Sequence, residues 1–299
     1  MRILFLGSGE FGLPTLKRLV EHDEVVGVVT SPDRPAGRNR AETPTPIGAW
    51  ANAEGLQVFK TDNVNAPAFI QTIEALKVDA MVVIAFGQKL SEACIGIAPT
   101  INLHGSLLPR WRGAAPIHAA IMHGDELSGV SVITLAQQMD AGTILGQVST
   151  NIGECETAGE LHDRLALLGP DIVIEVLAGD FSGETQDDSA VTYAPKLSRK
   201  DAHLDLSQNA KRVARKIRGL SPWPGCHLNI SGVDCKIINA IPKDSSGAVG
   251  EILSDGTIAV GEGSIEILEL QPAGSTTMSW KDFCNGRSVQ TGDMCGVHS

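Results

Sequence analysis

The run "INLHGSLLP", residues 101–109, sets an amide and an imidazole one residue apart at the end of a short apolar stretch. Side chains alternate along a strand, so Asn102 and His104 share one face. A strand of a plain structural sheet would carry Val or Ile at such positions. The pair offers hydrogen-bond donors to an oxygen that gains negative charge, and a group that can move a proton. The bland alternative is a buried, satisfied polar pair. Gly105 ending the strand and the Pro-Arg-Trp-Arg-Gly turn after it favour the functional reading. Both residues then lie at a strand's C-terminal end, where open α/β sheets bind ligands.

A carboxylate beside an imidazole fixes its tautomer and raises its pKa. "QQMDAGTIL" (137–145) supplies one, Asp140, in a turn between two strand-like runs. It matters for chemistry only if that turn folds over the strand end bearing His104; otherwise it is ordinary turn chemistry. "GSGEFG" (7–12) fits a dinucleotide fingerprint after a strand and before a helix. The acid such a site wants on the ribose has only Asp33 to fill it, after Pro32 and inside a long loop, so a tight βα corner is the favoured reading. Two basic groups could meet phosphates: Arg34, Arg38 and Arg40 in the Pro-rich loop 31–46, and Lys211, Arg212, Arg215, Lys216 and Arg218 in 208–220. Solvation is the usual account of a charged helix face, but the second group has no interleaved acids, so nucleic acid stands level with it.

These residues must be held by elements that the rest of the sequence spells out. The chain has 299 residues, 42% apolar and 20% charged, enough for one large domain or two ordinary ones. No apolar run reaches the ~18 residues of a membrane span. No signal-peptide pattern follows the opening "MRILFLG", and a cytoplasmic protein without a membrane or an obligatory protein partner is expected. The six cysteines form neither a CxxC nor a Cys/His cluster, so reduced thiols and no metal are expected. Net charge is −11, carried by residues 1–205 with 15 Lys/Arg against 26 Asp/Glu; residues 206–299 have nine of each. Charge alone argues against nucleic acid.

Strand-like runs at 2–7, 24–30, 56–60, 79–86, 100–105 and 128–136 alternate with helical patterns, the last over 157–180. That order predicts a mostly parallel, Rossmann-like α/β sheet, with 142–152 as an antiparallel partner of 128–136. The pattern fails over 190–207, read as a linker between domains at 1–189 and 208–299. After a helix at 208–220, five short strands between Gly- and Asp-rich turns predict a small OB-like β-barrel.

Taken together, "INLHGSLLPRWRGAAPI", "MDAGTIL", "SPDRPAGR", "VTYAPKLSRKDAHLDLS", "PWPG" and "LQPAGSTTMS" resemble the methionyl-tRNA formyltransferase family, from Met1 to about Arg287. The resemblance implies transfer of a formyl group from 10-formyltetrahydrofolate to the α-amine of methionyl initiator tRNA. It implies Asn102, His104 and Asp140 as the catalytic set and Ser106, Leu107, Leu108 and Pro109 as folate contacts. The tRNA would meet Arg34, Arg38, Arg40, Lys211 and Arg215. Two departures remove positive charge that the family sets against tRNA: Glu42 with neutral threonines in "GRNRAETP", and Ser275-Thr276 after "LQPAG" where a lysine pair is common. Three rival readings are the same chemistry on a small amine such as a nucleotide-linked amino sugar, a nicotinamide-dependent dehydrogenase, and a nucleic-acid-binding module without catalysis.

Overall fold

The computed structural model describes residues 1–36 and 41–296; Arg38 and Arg40 lie outside the described residues. Two compact units emerge. The first joins residues 1–112, 129–150 and 162–193; the second joins 113–128, 151–161 and 194 onward.

In chain order the first elements are β1 (Arg2–Gly7), α1 (Leu13–His22), β2 (Glu24–Thr30), β3 (Arg34–Ala36), β4 (Ala41–Thr43), α2 (Pro46–Ala53) and β5 (Val58–Lys60). Next come α3 (Pro67–Ala75), β6 (Ala80–Ile84), α4 (Glu92–Ile95), β7 (Thr100–His104), the two-residue β8 (Arg112–Gly113) and α5 (Pro116–His123). Then follow β9 (Leu127–Thr134), β10 (Ile144–Asn151), α6 (Ala158–Ala178) and β11 (Tyr193–Ala194).

Among the described residues, seven strands of the first unit form one sheet in the order β10-β9-β7-β6-β1-β2-β5. From β7 to β5 every pairing is parallel, while β9 runs antiparallel to β7. The chain therefore builds outward from β1 on one side, then returns to add β6 and β7 on the other, which makes a topological switch point at the C-terminal strand ends. β6 is buried along its whole length, as its unbroken "AMVVI" requires of a strand covered on both faces. Leu4, Leu6, Val29, Ile73, Met81 and Val83 form the core on one face. On α6, a Cβ at Gly169 would meet the Leu103 side chain at 2.3 Å, so glycine lets the helix press on the residue between Asn102 and His104.

Within the Pro-rich loop 31–46, β3 and β4 pair as antiparallel strands, and Thr45 caps α2 by accepting from the Gly48 amide at 3.0 Å.

The second unit adds α7 (Ala210–Gly219), β12 (Cys226–Ile230), β13 (Val233–Lys243), β14 (Ile258–Ala259), β15 (Ser264–Pro272), β16 (Met278–Ser279), α8 (Trp280–Arg287) and β17 (Cys295–Gly296). The sheet order is β14-β15-β13-β12-β17, with β16 beside β15. Segment 250–253 makes single bridges to both edges: Ile252 to Ile258 and Glu251 to Met294. These bridges nearly close the sheet into a barrel, and the closing strand β17 comes from the tail for which the sequence offered no assignment. Leu204 and Leu206 join α7 and the strands in one core, so part of the stretch read as a linker is packed.

Asn209 caps α7 by accepting from the Arg212 amide at 2.9 Å, and Val213, Ala214 and Ile217 face inward. Its basic side is not simply solvated. Arg218 is buried and donates to the Glu156 carbonyl at 3.4 Å, and its guanidinium pKa is lowered by that burial. Arg215 lies over Gly124 at the end of α5, where a Cβ would come within 2.0 Å of the guanidinium carbon. A cation there suits the partial negative charge of a helix C-terminus.

Burial pushes the Cys226 and Cys295 thiols up to about 12 and Cys235 to about 11, whereas Cys155 is exposed. A thiol-disulfide reagent at pH 8 should therefore find a single fast thiol in the native protein, lost in Cys155→Ser, with the others released by denaturant. Phe283, 1% exposed in the barrel core, should cost about 3–5 kcal/mol when cut to Ala, read from the urea midpoint.

Candidate active site

β7 lies inside the sheet with a partner on each side. Asn102 sits opposite Val83 of β6 and Ile133 of β9, and His104 sits opposite Ser131. Both backbones are thus locked, and the alternation of the strand turns both side chains to one face. The Asn102 carboxamide is half-buried and hydrogen-bonds to no other described side chain or backbone group. A polar group so placed at a strand end is free to serve a ligand.

His104 is 7% exposed and held from two directions. Its Nε2 lies 2.8 Å from the Trp111 carbonyl oxygen. A carbonyl only accepts, so neutral His104 carries its proton on Nε2 and its lone pair on Nδ1. Nδ1 is 3.7 Å from Asp140 Oδ2, beyond hydrogen-bond length. The tautomer is therefore set by a backbone carbonyl, which leaves the Nδ1 lone pair on the side of the Asp140 carboxylate. Asp140 itself adopts a left-handed backbone, φ 52°, a conformation Asp tolerates better than most residues.

The turn after β7 carries the Trp111 carbonyl, and side chains far along the chain pin it. Ser131 Oγ donates to the Ser106 carbonyl at 2.6 Å and accepts from the Leu108 amide at 3.0 Å. Gln147 donates to both Ser131 Oγ and the Leu108 carbonyl, at 2.7 and 3.0 Å. Ser106 Oγ donates to the Arg110 carbonyl at 2.7 Å, closing the turn around the cis Leu108–Pro109 bond. Leu107 packs over Gly129, where a Cβ would meet its Cδ2 at 2.6 Å. The Arg110 guanidinium lies 4.3 Å over the Trp111 ring, and the Trp111 amide donates to Thr192 Oγ1 at 2.9 Å. Ser106 to Pro109 thus form a fixed loop beside His104.

The Asp140 turn is held as firmly. Thr143 donates its amide to Thr134 Oγ1 at 2.9 Å, and a Cβ at Gly142 would strike the Thr134 carbonyl at 1.7 Å. Gln186 donates to the carbonyls of Asp140 and Gly142 at 2.7 and 2.8 Å.

Asn102, His104 and Asp140 are thus gathered at one strand end, with Ser106 to Pro109 beside them. Of the cations that the resemblance sets against tRNA, Arg38 and Arg40 lie outside the described residues. Arg34 is exposed on β3, 3.9 Å from Asp62. Lys211 is exposed on α7, where Arg215 is half-buried. "GSGEFG" is a tight corner whose amides are in use: those of Ser8 and Gly9 both donate to the Ala85 carbonyl at 3.3 Å. A dinucleotide pyrophosphate needs such amides open, and Asp33 is already paired to Lys60 at 2.7 Å. Sequence reasoning missed Trp111 as a backbone acceptor, and missed Ser131, Gln147 and Gln186. Ser131, a polar residue in the apolar run "GVSVIT", is the one with a signal in the sequence.

Residues 1–177 match the formyl transferase family and 196–288 match the formyl transferase C-terminal domain. The chain is 38% identical to the methionyl-tRNA formyltransferase of Methylococcus capsulatus, across 97% of this chain and 98% of that one. It is 37% identical to the enzyme of that name from Bacillus subtilis, across 100% and 98%. Among solved structures, HypX from Aquifex aeolicus in complex with tetrahydrofolic acid superposes with a TM-score of 0.62 at 19% identity, covering 95% of this chain and 47% of that one. An N-formyltransferase from Helicobacter canadensis superposes at 0.67 with 13% identity, covering 91% and 99%. The structural likenesses speak for the fold alone. The end-to-end sequence identity goes further: this chain belongs to the formyl transferase family, among its methionyl-tRNA formyltransferases.

Proposed function

We infer that this protein transfers the formyl group of 10-formyltetrahydrofolate to the α-amino group of methionyl initiator tRNA. The observation that carries the chemistry is the Asn102 carboxamide, without a partner among the described residues, on the same face as an imidazole whose Nδ1 lone pair is open toward Asp140. The acceptor follows from full-length similarity to enzymes that bear that name.

In the transfer, the amine nitrogen bonds to the formyl carbon, the carbon–N10 bond breaks, and a proton passes from the amine to N10. Asn102 donates a hydrogen bond to the formyl oxygen as it becomes negative. His104 takes the amine proton on Nδ1, beside the Asp140 carboxylate, and returns it to the leaving nitrogen. The Trp111 carbonyl keeps Nε2 protonated, so the ring presents the correct nitrogen in every turnover. Ser106 to Pro109 line the folate side, fixed by Ser131 and Gln147. In this reading residues 1–189 carry the chemistry. Arg34, Arg38, Arg40, Lys211 and Arg215 take the phosphates, with Arg215 supplying at most its outer face.

The direct test is a formyl-transfer assay with 10-formyltetrahydrofolate and methionylated initiator tRNA. His104→Ala should lower kcat by roughly 10²–10⁴. Asn102→Ala should lower it by roughly 10²–10³. Folate binding with no transfer to the aminoacylated tRNA would keep the chemistry and reject the acceptor, bringing a small amine forward. Ser131→Ala strips two hydrogen bonds from the folate loop and a third from Gln147. It should destabilise the protein by about 1–3 kcal/mol in urea and raise KM for the folate more than KM for the tRNA.

A further inference from the structure

We propose that Gln186 is a positioning residue for the transfer, one buried carboxamide that fixes both groups flanking the His104 ring. The proposal rests on the assignment of His104 and Asp140 to the chemistry. Gln186 is 6% exposed, in the segment after α6 that joins the sheet edge through the bridge of Glu184 to Ile144. Its Oε1 accepts from Arg112 Nε at 2.9 Å. Its Nε2 gives both hydrogens away, to Asp140 O at 2.7 Å and Gly142 O at 2.8 Å. Two donors and one acceptor are needed at this point, and a carboxamide supplies that combination.

The two arms of this clamp end on opposite sides of the imidazole. On one side Gln186 grips the turn whose Asp140 carboxylate lies 3.7 Å from Nδ1. On the other it holds Arg112, whose peptide nitrogen is bonded to the carbonyl carbon of Trp111. That peptide plane is fixed at both poles: the Trp111 oxygen meets His104 Nε2 at 2.8 Å, and the Arg112 amide donates to the Thr192 carbonyl at 2.9 Å. Arg112, 2% exposed in its side chain, is further tied to Asp188 at 3.3 Å. Loss of the carboxamide would free the Asp140 turn from its clamp and remove one of the ties that hold Arg112 next to the Trp111 carbonyl. A shift of about 1 Å in either costs on the order of 100-fold in rate when it moves a reacting group.

The substitutions that separate this role from simple packing are Gln186→Met, which keeps the length and removes every hydrogen bond, and Gln186→Glu, which keeps the acceptor for Arg112 and removes both donors. Each is paired with Asp140→Asn, and kcat and KM are measured well below the melting temperature. Q186M should lower kcat by about 10- to 100-fold with KM for the folate changed by less than about 3-fold. In the D140N background the same change should cost clearly less than in the wild type, because one of the two groups it positions is already disabled. Equal losses in both backgrounds would mark a structural role and overturn the proposal, as would a kcat left unchanged. Should Q186M fail to fold, Q186E carries the same comparison, and a wild-type kcat in Q186E overturns it equally. A wild-type protein that transfers no formyl group, or an H104A variant as active as wild type, would overturn the underlying assignment and this proposal with it.

Discussion

A buried hydrogen bond of 2.8 Å between His104 Nε2 and the Trp111 carbonyl is the contact around which the site is organised. It decides the tautomer, and through the tautomer it decides which nitrogen can move a proton. A carbonyl can stand there only if the chain turns back on itself within seven residues of the histidine, and the turn from Gly105 to Trp111 does this. Trp111 takes a left-handed backbone to manage it, φ 64°, which is uncommon for a residue of that bulk. Such a conformation lasts only where its surroundings over-determine it. Here they do: its amide is held by Thr192, its ring lies beneath Arg110, and its carbonyl is taken by His104.

The sheet supplies what the turn cannot supply for itself. β7 has neighbours on both sides, so the positions of Asn102 and His104 are set by two ladders of backbone bonds. The antiparallel β9 then does a second job. Running back past β7, it brings Ser131 opposite His104, where the hydroxyl can reach the Ser106 carbonyl and the Leu108 amide. A parallel strand in that place would need a crossover and a different register. Strand direction and loop anchoring are therefore one structural decision. Asp140 follows from the same decision, since the β9–β10 turn that carries it closes at the strand ends beside His104.

How much of this could be read from the chain depends on whether a side chain or a backbone atom does the work. Asn102 and His104 were legible because alternation along a strand is a rule of side chains, and the apolar run before them left no doubt of a strand. The sheet and the small barrel were legible for the same reason. The Trp111 carbonyl was not, because every residue has one and only the fold aims it. Gln186 was not, because "ETQDDS" carries no periodicity that marks a buried position in a polar stretch. The basic side of α7 was misread in part. Helical spacing gave the apolar stripe of Val213 and Ile217 correctly, but Arg218 beside it carries its long apolar stem inward and ends on the Glu156 carbonyl.

The parts of the site come from three separated stretches of the first unit. Asn102, His104 and Trp111 come from the first, Ser131 and Asp140 from the second, and Gln186 and Thr192 from the third. No stretch alone contains a held imidazole. Before β9 pairs with β7, His104 can have its carbonyl but not the anchored loop; before the segment after α6 docks, it can have the loop but not the fixed carboxylate turn. The geometry is therefore a property of the folded unit as a whole, and local opening of any of the three stretches removes it. This explains why so many polar side chains are used beneath Asn102 and His104. In a sheet core, apolar packing sets the distance between layers, but it does not set the rotation of a peptide plane or the direction of a lone pair. Hydrogen bonds do, and here Ser131, Gln147, Thr192 and Gln186 each spend theirs on the backbone of a loop that touches the imidazole or its partners.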